Sequence, residues 1–546
     1  MEVEFMIRGC RGTFSVVLIL ILFLSNVIGC AGNDQKLAKE TSGLASNITY
    51  TGYGANGIVS GSLHILEMDG DKIILDAGLF YGNDGANIPL LTKSHVENVS
   101  AVIVSHAHLD HIGRLSQLLR LGYSGPIYCT EPTKDILPIM LRMEAKYGDF
   151  GSEQFYYSAL SKAKNDKTGK MTAIHLYNCE YGSKIYPKNK KTIFSTRKAL
   201  EKQSFYLCNS CADIDVGQIM DQVKVLPIAT RCEITENLNI EFLNTPHIPG
   251  SVMVLVNSNN SNQTVLYTGD FGSGNSRFLP RQAQVETADY AIIEGTYGIP
   301  DGNLSLSNEE ERLMFQKYIG ECVSNNKRVI IPAFVLDRSQ QVLGEISRGM
   351  ESGYIPRTSV KIFSPSTSEI NKLYANTFTQ PEYQPYFSTE YFLKGPFNPI
   401  FFMEKNEVEQ IEYGEIALAS SGMADTVYSK DFIKQWISDP QTVFIFVGYQ
   451  DPETIGGIIT KSGVSGIIID ENQYVVAAEI KKFNCFSGHG SYIQISQFLS
   501  NIEGLKKVVL VHSDKPVAEK LIQSYQQDLP EIKFVLPASG ELIVFN

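Results

Sequence analysis

His106, His108, Asp110 and His111 fall within six consecutive residues, His106-Ala-His-Leu-Asp-His111. The run before them, Ala101–Val104, is apolar and reads as a buried strand. Side chains of this kind at its end would be costly to bury without partners. On an extended loop, alternate residues point the same way. His106 and His108 can therefore share one ion, while Asp110 and His111 turn toward a second. Imidazole with carboxylate is the donor set of zinc sites that keep a coordination position open. A solvated polar turn accounts for one or two such residues, not four.

Other residues of the same chemistry lie far along the chain. His247 follows Asn244-Thr-Pro, Asp270 ends Val265-Leu-Tyr-Thr-Gly-Asp, and His512 ends Val508-Val-Leu-Val-His. Each closes an apolar run, at the strand ends where open α/β sheets place their ligands. Of the nine histidines, His64, His95 and His175 have no such setting and read as structural or surface residues.

The elements that must position these groups are strands alternating with helices. Asp69-Gly-Asp between two alternating runs predicts a hairpin. Further strands are expected at 125–129, 223–228, 238–243, 251–256, 263–268 and 289–293, with a helix over 114–121, a pattern of layered α/β type. After Gly298 a helix over 307–324 and a strand from Arg328 open a second α/β domain. That domain reads as an insertion, because metal-type residues reappear only beyond it, at His489 and His512. The expected divisions are 1–30, 31–46, 47–298 with an insertion at 150–212, 299–477 and 478–546.

Composition narrows the function classes. With 43% hydrophobic and 19% charged residues over 546 positions, the chain is an ordinary globular one of two or more domains. A net charge of -12 argues against a general polyanion-binding surface. Locally the balance reverses: residues 162–202 hold eleven Lys or Arg against three acids, 11 − 3 = +8, interleaved with Tyr177, Tyr181, Tyr186 and Phe194. Such a segment can grip a single nucleic-acid strand or be a solvated insertion.

Arg8 and Arg11 precede the apolar run Phe14–Leu24, and Val27-Ile-Gly-Cys30 follows, the layout of a secretory signal. This end resembles a bacterial lipobox, with Cys30 lipid-modified and residues 31–46 as a polar tether; a plain signal peptide and an uncleaved anchor are the alternatives. All three place the protein outside the cytoplasm. Cys208-Asn-Ser-Cys211 is a lone pair, so the remaining cysteines read as incidental thiols.

Taken together, these residues resemble the motifs of metallo-β-lactamase-fold hydrolases, and among them the β-CASP nucleases that process RNA. Asp76 in Leu75-Asp-Ala-Gly matches the first motif, the opening run the second, His247 the third and Asp270 the fourth. Glu294 matches the acidic motif that opens the β-CASP insert, and His489 and His512 match the two histidine motifs after it. The resemblance implies an αββα sandwich with an inserted α/β domain and two zinc ions, with Mn2+ as an alternative metal. His106, His108 and His247 would hold one ion; Asp110, His111 and His512 would hold the other, with Asp270 between them. Catalysis would rest on His489, Glu294, Asp76 and Asp110, with His489 as general acid held by Glu294 and Asp76 orienting a ligand. His at the last motif is similar to members that act on RNA. Two stretches depart from the pattern: Ser487-Gly-His-Gly-Ser491, usually Ser-Ala-His-Ala-Asp, and Ala424-Asp425, usually Gly-rich. The expected activity is zinc-dependent cleavage of phosphodiester bonds in single-stranded RNA by an exported, lipid-anchored enzyme. The alternatives are an exported hydrolase of another ester or amide, or a zinc-binding lipoprotein with little catalysis.

Overall fold

The computed structural model describes residues 48–545, except 82–83, 85–90, most of 148–208, 299–307, 388–401, 405–410 and positions 426, 451 and 453. The expected signal segment with Cys30, the tether, and nearly all of the basic stretch 162–202 lie outside the described residues.

Two seven-stranded sheets face each other. The first runs in the order Val223–Val225, Ile127–Cys129, Val99–Ile103, Asp71–Leu75, His64–Met68, Ile48–Gly52, Leu542–Phe545. The second runs Arg231–Glu233, Leu238–Asn244, Val252–Ser258, Thr264–Tyr267, Tyr290–Glu294, Lys507–Val511, Lys533–Val535. Strand periodicity divides the side chains between faces. Ile73, Leu75, Ala101 and Ile103 of the first sheet meet Val254, Tyr290, Ile292 and Val509 of the second in one buried cluster. The alternate residues point outward. Ile74, Val102 and Val104 pack with Leu115, Leu118 and Ile136, whose helices are Leu115–Arg120 and Glu131–Tyr147. Ala291, Ile293, Val508 and Leu510 pack with Phe498 and Leu521 of the helices Tyr492–Ser500 and Lys515–Asp528. The result is the four-layered αββα sandwich expected from the sequence. The predicted hairpin is present, and both its turn residues, Asp69 (φ 53°) and Gly70 (φ 86°), adopt the positive φ that a tight two-residue turn demands.

Between Glu294 and the strand Lys507–Val511 the chain builds an all-parallel six-stranded sheet. Its order is Phe402–Glu404, Val360–Phe363, Ile416–Ala419, Arg328–Pro332, Thr442–Phe446, Glu479–Lys482. Both faces are covered, as parallel sheets require. Val342 and Ile346 of the helix Arg338–Glu351 pack with Val329 and Ile331 on one face, and Phe432 of the helix Val427–Trp436 packs with Ile330 and Phe444 on the other. The last strand of this sheet lies just past 477, because Glu479–Lys482 pairs with Thr442–Phe446 before the chain returns to the sandwich.

Two features bear on the remaining expectations. Cys129, Cys322 and Cys485 are buried free thiols, and Cys232 is half-buried and free. Among the described residues, no helix is long and apolar enough to cross a membrane.

Candidate metal centre

Every singled-out group except His489 follows the C-terminal end of a sandwich strand or sits on its last residue, and His489 lies on the segment that returns from the inserted sheet. Leu75 pairs with Ile103, so the turn carrying Asp76 lies beside the loop that opens with Ser105 and His106. In the second sheet Tyr267 pairs with Ile292 and Glu294 with Val511, which brings Asp270, Glu294 and His512 out side by side from parallel strands. His247 leaves the end of Leu238–Asn244. The strands are rigid and buried, and only their polar ends reach the cleft.

Four groups of side chains converge there: His106, His108, His247 and Asp270; Asp110, His111 and His512; Asp76, His106 and His111; and Asp270, Glu294 and His489. Asp270 lies between the first two. Its Oδ2 is 3.4 Å from His106 Nε2 and 3.3 Å from His247 Nε2, and its Oδ1 is 3.1 Å from His111 Nε2 and 3.6 Å from His512 Nε2. His247 Nε2 and His108 Nδ1 are 3.0 Å apart, and His512 Nε2 is 3.3 Å from Asp110 Oδ2. Two donors on one tetrahedral zinc at ordinary bond lengths stand about 3.3 Å apart. The donor atoms are thus already at ligand spacing.

The charge state of three of the rings suits a cation. Burial pulls His106 below its ordinary pKa, His108 down to about 3 and His247 well below, so each presents a neutral nitrogen. His111 moves the other way: burial disfavours its charge, but Asp270 and Asp76 raise it well above the usual value. The Nε2 atoms of His106 and His111 and Oδ1 of Asp270 are buried and make no hydrogen bond among the described residues. Leaving such atoms unsatisfied costs about 1–3 kcal/mol each. A divalent cation removes that cost, and nitrogen and carboxylate donors are what zinc or manganese takes. The residues present fit the metal that the sequence implied.

Asp76 is fully buried and does not face the cleft. Its carboxylate accepts four hydrogen bonds, from Ser105 N–H (2.7 Å), Ser105 Oγ (2.7 Å), His111 Nδ1 (2.7 Å) and the Tyr267 hydroxyl (2.6 Å). That fixes the His111 ring with Nε2 toward Asp270. The other rings are held similarly: His247 Nδ1 by the carbonyl of Gly488 (3.1 Å), His512 Nδ1 by Thr296 Oγ1 (2.7 Å), and His106 Nδ1 by Ser105 Oγ (3.0 Å). Partners of this sort set tautomer and orientation at metal sites. The orienting roles of Ser105, Tyr267, Thr296 and Gly488 are absent from the sequence reading, since a hydroxyl or a carbonyl has no signature until the fold supplies its partner.

His489 stands beside this cluster. Its Nδ1 lies 3.0 and 3.1 Å from the two oxygens of Glu294 and 3.9 Å from Asp270 Oδ2. Burial works against its charge, but the Glu294 carboxylate opposite lifts the imidazole to about 10. Glu294 in turn accepts the Phe271 N–H at 2.7 Å. The altered loop around His489 has a local logic. A Cβ on Gly488 would sit 3.1 Å from the His247 ring, one on Gly490 would sit 2.6 Å from Phe271, and Ser491 caps the helix Tyr492–Ser500. His64, by contrast, is fully buried against Tyr50 and belongs to none of these groups; His95 belongs to a short helix cap, and His175 is outside the described residues.

Comparison with known proteins adds to this picture. Profiles described as the metallo-beta-lactamase superfamily, the Beta-Casp domain and the Zn-dependent metallo-hydrolase RNA specificity domain match residues 57–174, 339–459 and 473–536. The chain is 27% identical to "Ribonuclease TTHA0252" of Thermus thermophilus, over 86% of its own length and 93% of that protein's. It is 27% identical to "Transcription termination factor FttA" of Lokiarchaeum sp., covering 85% of its own length and 66% of that relative. It is 25% identical to an "RNase J-like protein" of Methanocaldococcus jannaschii, over 82% and 89% of the two chains.

Proposed function

The chain belongs to the β-CASP branch of the metallo-β-lactamase-fold hydrolases, and from that premise we propose that it is a metal-dependent nuclease cleaving phosphodiester bonds of single-stranded RNA. The observation that carries the reading is the His489–Glu294 pair beside the Asp270 carboxylate: a proton donor next to a metal-type cluster. The names of its relatives, two ribonucleases and a transcription termination factor, support RNA as the substrate class.

His106, His108 and His247 would hold one ion, Asp110, His111 and His512 a second, and Asp270 would lie between both. Divalent ions so held supply Lewis acidity, polarising phosphoryl oxygens and acidifying water. The chain's own residues do the rest. Asp76 keeps His111 aimed by accepting its Nδ1 proton. Glu294 holds the charged form of His489 through Nδ1, leaving Nε2 to give its proton to the departing oxygen. The Gly488 carbonyl fixes His247 and so ties the acid loop to the metal ligands.

The experiment is cleavage of end-labelled single-stranded RNA with added zinc or manganese. His489→Ala is expected to cut about 10²- to 10⁴-fold more slowly while retaining its metal, and Asp270→Ala to lose metal and activity together. Wild-type protein that binds metal yet leaves RNA intact would falsify the nuclease reading and favour another ester or amide substrate. For the N-terminus we propose export with lipid attachment at Cys30, on the Val27-Ile-Gly-Cys30 pattern. Radiolabelled palmitate that still enters a Cys30→Ala chain counts against it.

A further inference from the structure

The loop Phe334–Arg338 joins the strand Arg328–Pro332 to the helix Arg338–Glu351 at the mouth of the cleft. Three observations set it apart. The first is the state of Arg338. The buried Arg312 and Arg328 are each paired with a carboxylate, Glu345 and Asp439. Arg338 donates to the Val447 carbonyl at 2.7 Å. Its Nε is buried without a hydrogen-bond partner, and no carboxylate lies at ion-pair distance, both among the described residues. The neighbouring Asp337 carboxylate is engaged by Gln341 (2.5 Å) and the Tyr374 hydroxyl (3.3 Å). A half-buried guanidinium with no carboxylate at ion-pair distance suits an incoming anion.

The second observation is position. Arg338 Nη2 reaches to 3.7 Å from where a Cβ on Gly488 would be, and Gly488 carries the carbonyl that holds His247 and precedes His489. One thickness of backbone separates the guanidinium from the metal-type cluster. The third is the loop itself. Asp337 has φ 66° and ψ −54°, and the Arg338 N–H donates to the Leu336 carbonyl at 2.9 Å. This is a γ-turn of the rare positive-φ hand, a strained conformation for a residue with a side chain and one found at functional sites. At the other end of the loop, Phe334 is 36% exposed, with its ring against Gly422.

We propose that this loop grips the substrate strand, Arg338 binding the phosphate next to the reacting one and Phe334 stacking on a base. The proposal rests on the RNA-cleaving reading above and adds two contacts that reading does not use. A guanidinium offers paired donors that match phosphate oxygens, and an aromatic face accepts any base of a single strand. Gly488 stands between Arg338 and His247, which selects the neighbouring phosphate rather than the reacting one.

The test uses the full metal-loaded protein and RNAs carrying one neutral methylphosphonate linkage beside the cleaved bond. Arg338→Gln is expected to lower kcat/KM roughly ten- to a hundredfold on ordinary RNA, as for loss of a charge-assisted hydrogen bond, with metal content unchanged. Arg338→Lys should recover only part of this, because it keeps the charge but not the fork. The neutral linkage should slow the wild type and add nothing further to Arg338→Gln. Phe334→Ala should raise KM, and Phe334→Trp should restore it. Cleavage by Arg338→Gln within about twofold of wild type, or an undiminished penalty from the neutral linkage in that variant, overturns the proposal. If Arg338→Gln does not fold, the wild type decides alone: no flanking neutral linkage costing more than about threefold overturns it. Wild type that cleaves no RNA sinks the reading of the site, whereas cleavage indifferent to Arg338 sinks only the grip.

Discussion

At the residue scale the centre depends on orientation as much as on donor identity. Asp76 accepts four hydrogen bonds, and an amide in its place can offer only one oxygen to them. Asp76→Asn is therefore expected to weaken metal binding about 10- to 100-fold, measured by competition with a chromogenic chelator, with the ligands themselves intact. Tyr267→Phe removes one donor to the same carboxylate and should cost about 1.5–3 kcal/mol of stability, read from urea unfolding. The candidate ligand histidines are legible because three of them crowd one loop and the others close apolar runs. Tyr267 is not, since its hydroxyl meets a carboxylate 191 positions away and its residue type is common in cores.

At the scale of elements, the hairpin at Asp69-Gly70 and the strands of the sandwich could be read from alternation and turn chemistry. What alternation could not give is how the inserted domain is fastened. Arg277 of the sandwich and Arg312 of the helix Asn308–Ser324 both bind Glu345 of the helix Arg338–Glu351, and Gln316 takes its other oxygen. Glu345 is 1% exposed, and removing it leaves the buried Arg312 with neutral acceptors alone, while Arg277 keeps Glu309. Glu345→Ala should destabilise the fold by about 3–5 kcal/mol, as a lower urea midpoint. Asp337, at the start of the same helix, gives a pH signature. Burial raises its pKa from 3.8 to about 6, so the fold favours the protonated form. Its contribution is complete below pH 3.8 and is lost as pH rises through about 6. Asp337→Asn should flatten that decline, worth about 3 kcal/mol at most, in unfolding measured from pH 4 to 7. An identical slope in variant and wild type would assign the pH dependence elsewhere.

At the scale of the whole molecule, the candidate ligands come from loops of both facing sheets, so a bound ion braces the sandwich. Stripping the metal with a chelator should lower the unfolding temperature, and saturating metal at about a thousand times its Kd should return roughly 4 kcal/mol; calorimetry of the two forms checks this. The order of these segments along the chain has a consequence in time. His106, His108 and His247 precede the insert, while His489 and His512 follow it. During synthesis the ribosome therefore releases six of the seven candidate metal ligands first and withholds His512 and the candidate proton donor His489 until the whole insert has emerged. A nascent or prematurely terminated chain therefore carries most of the candidate ligands without the candidate proton donor.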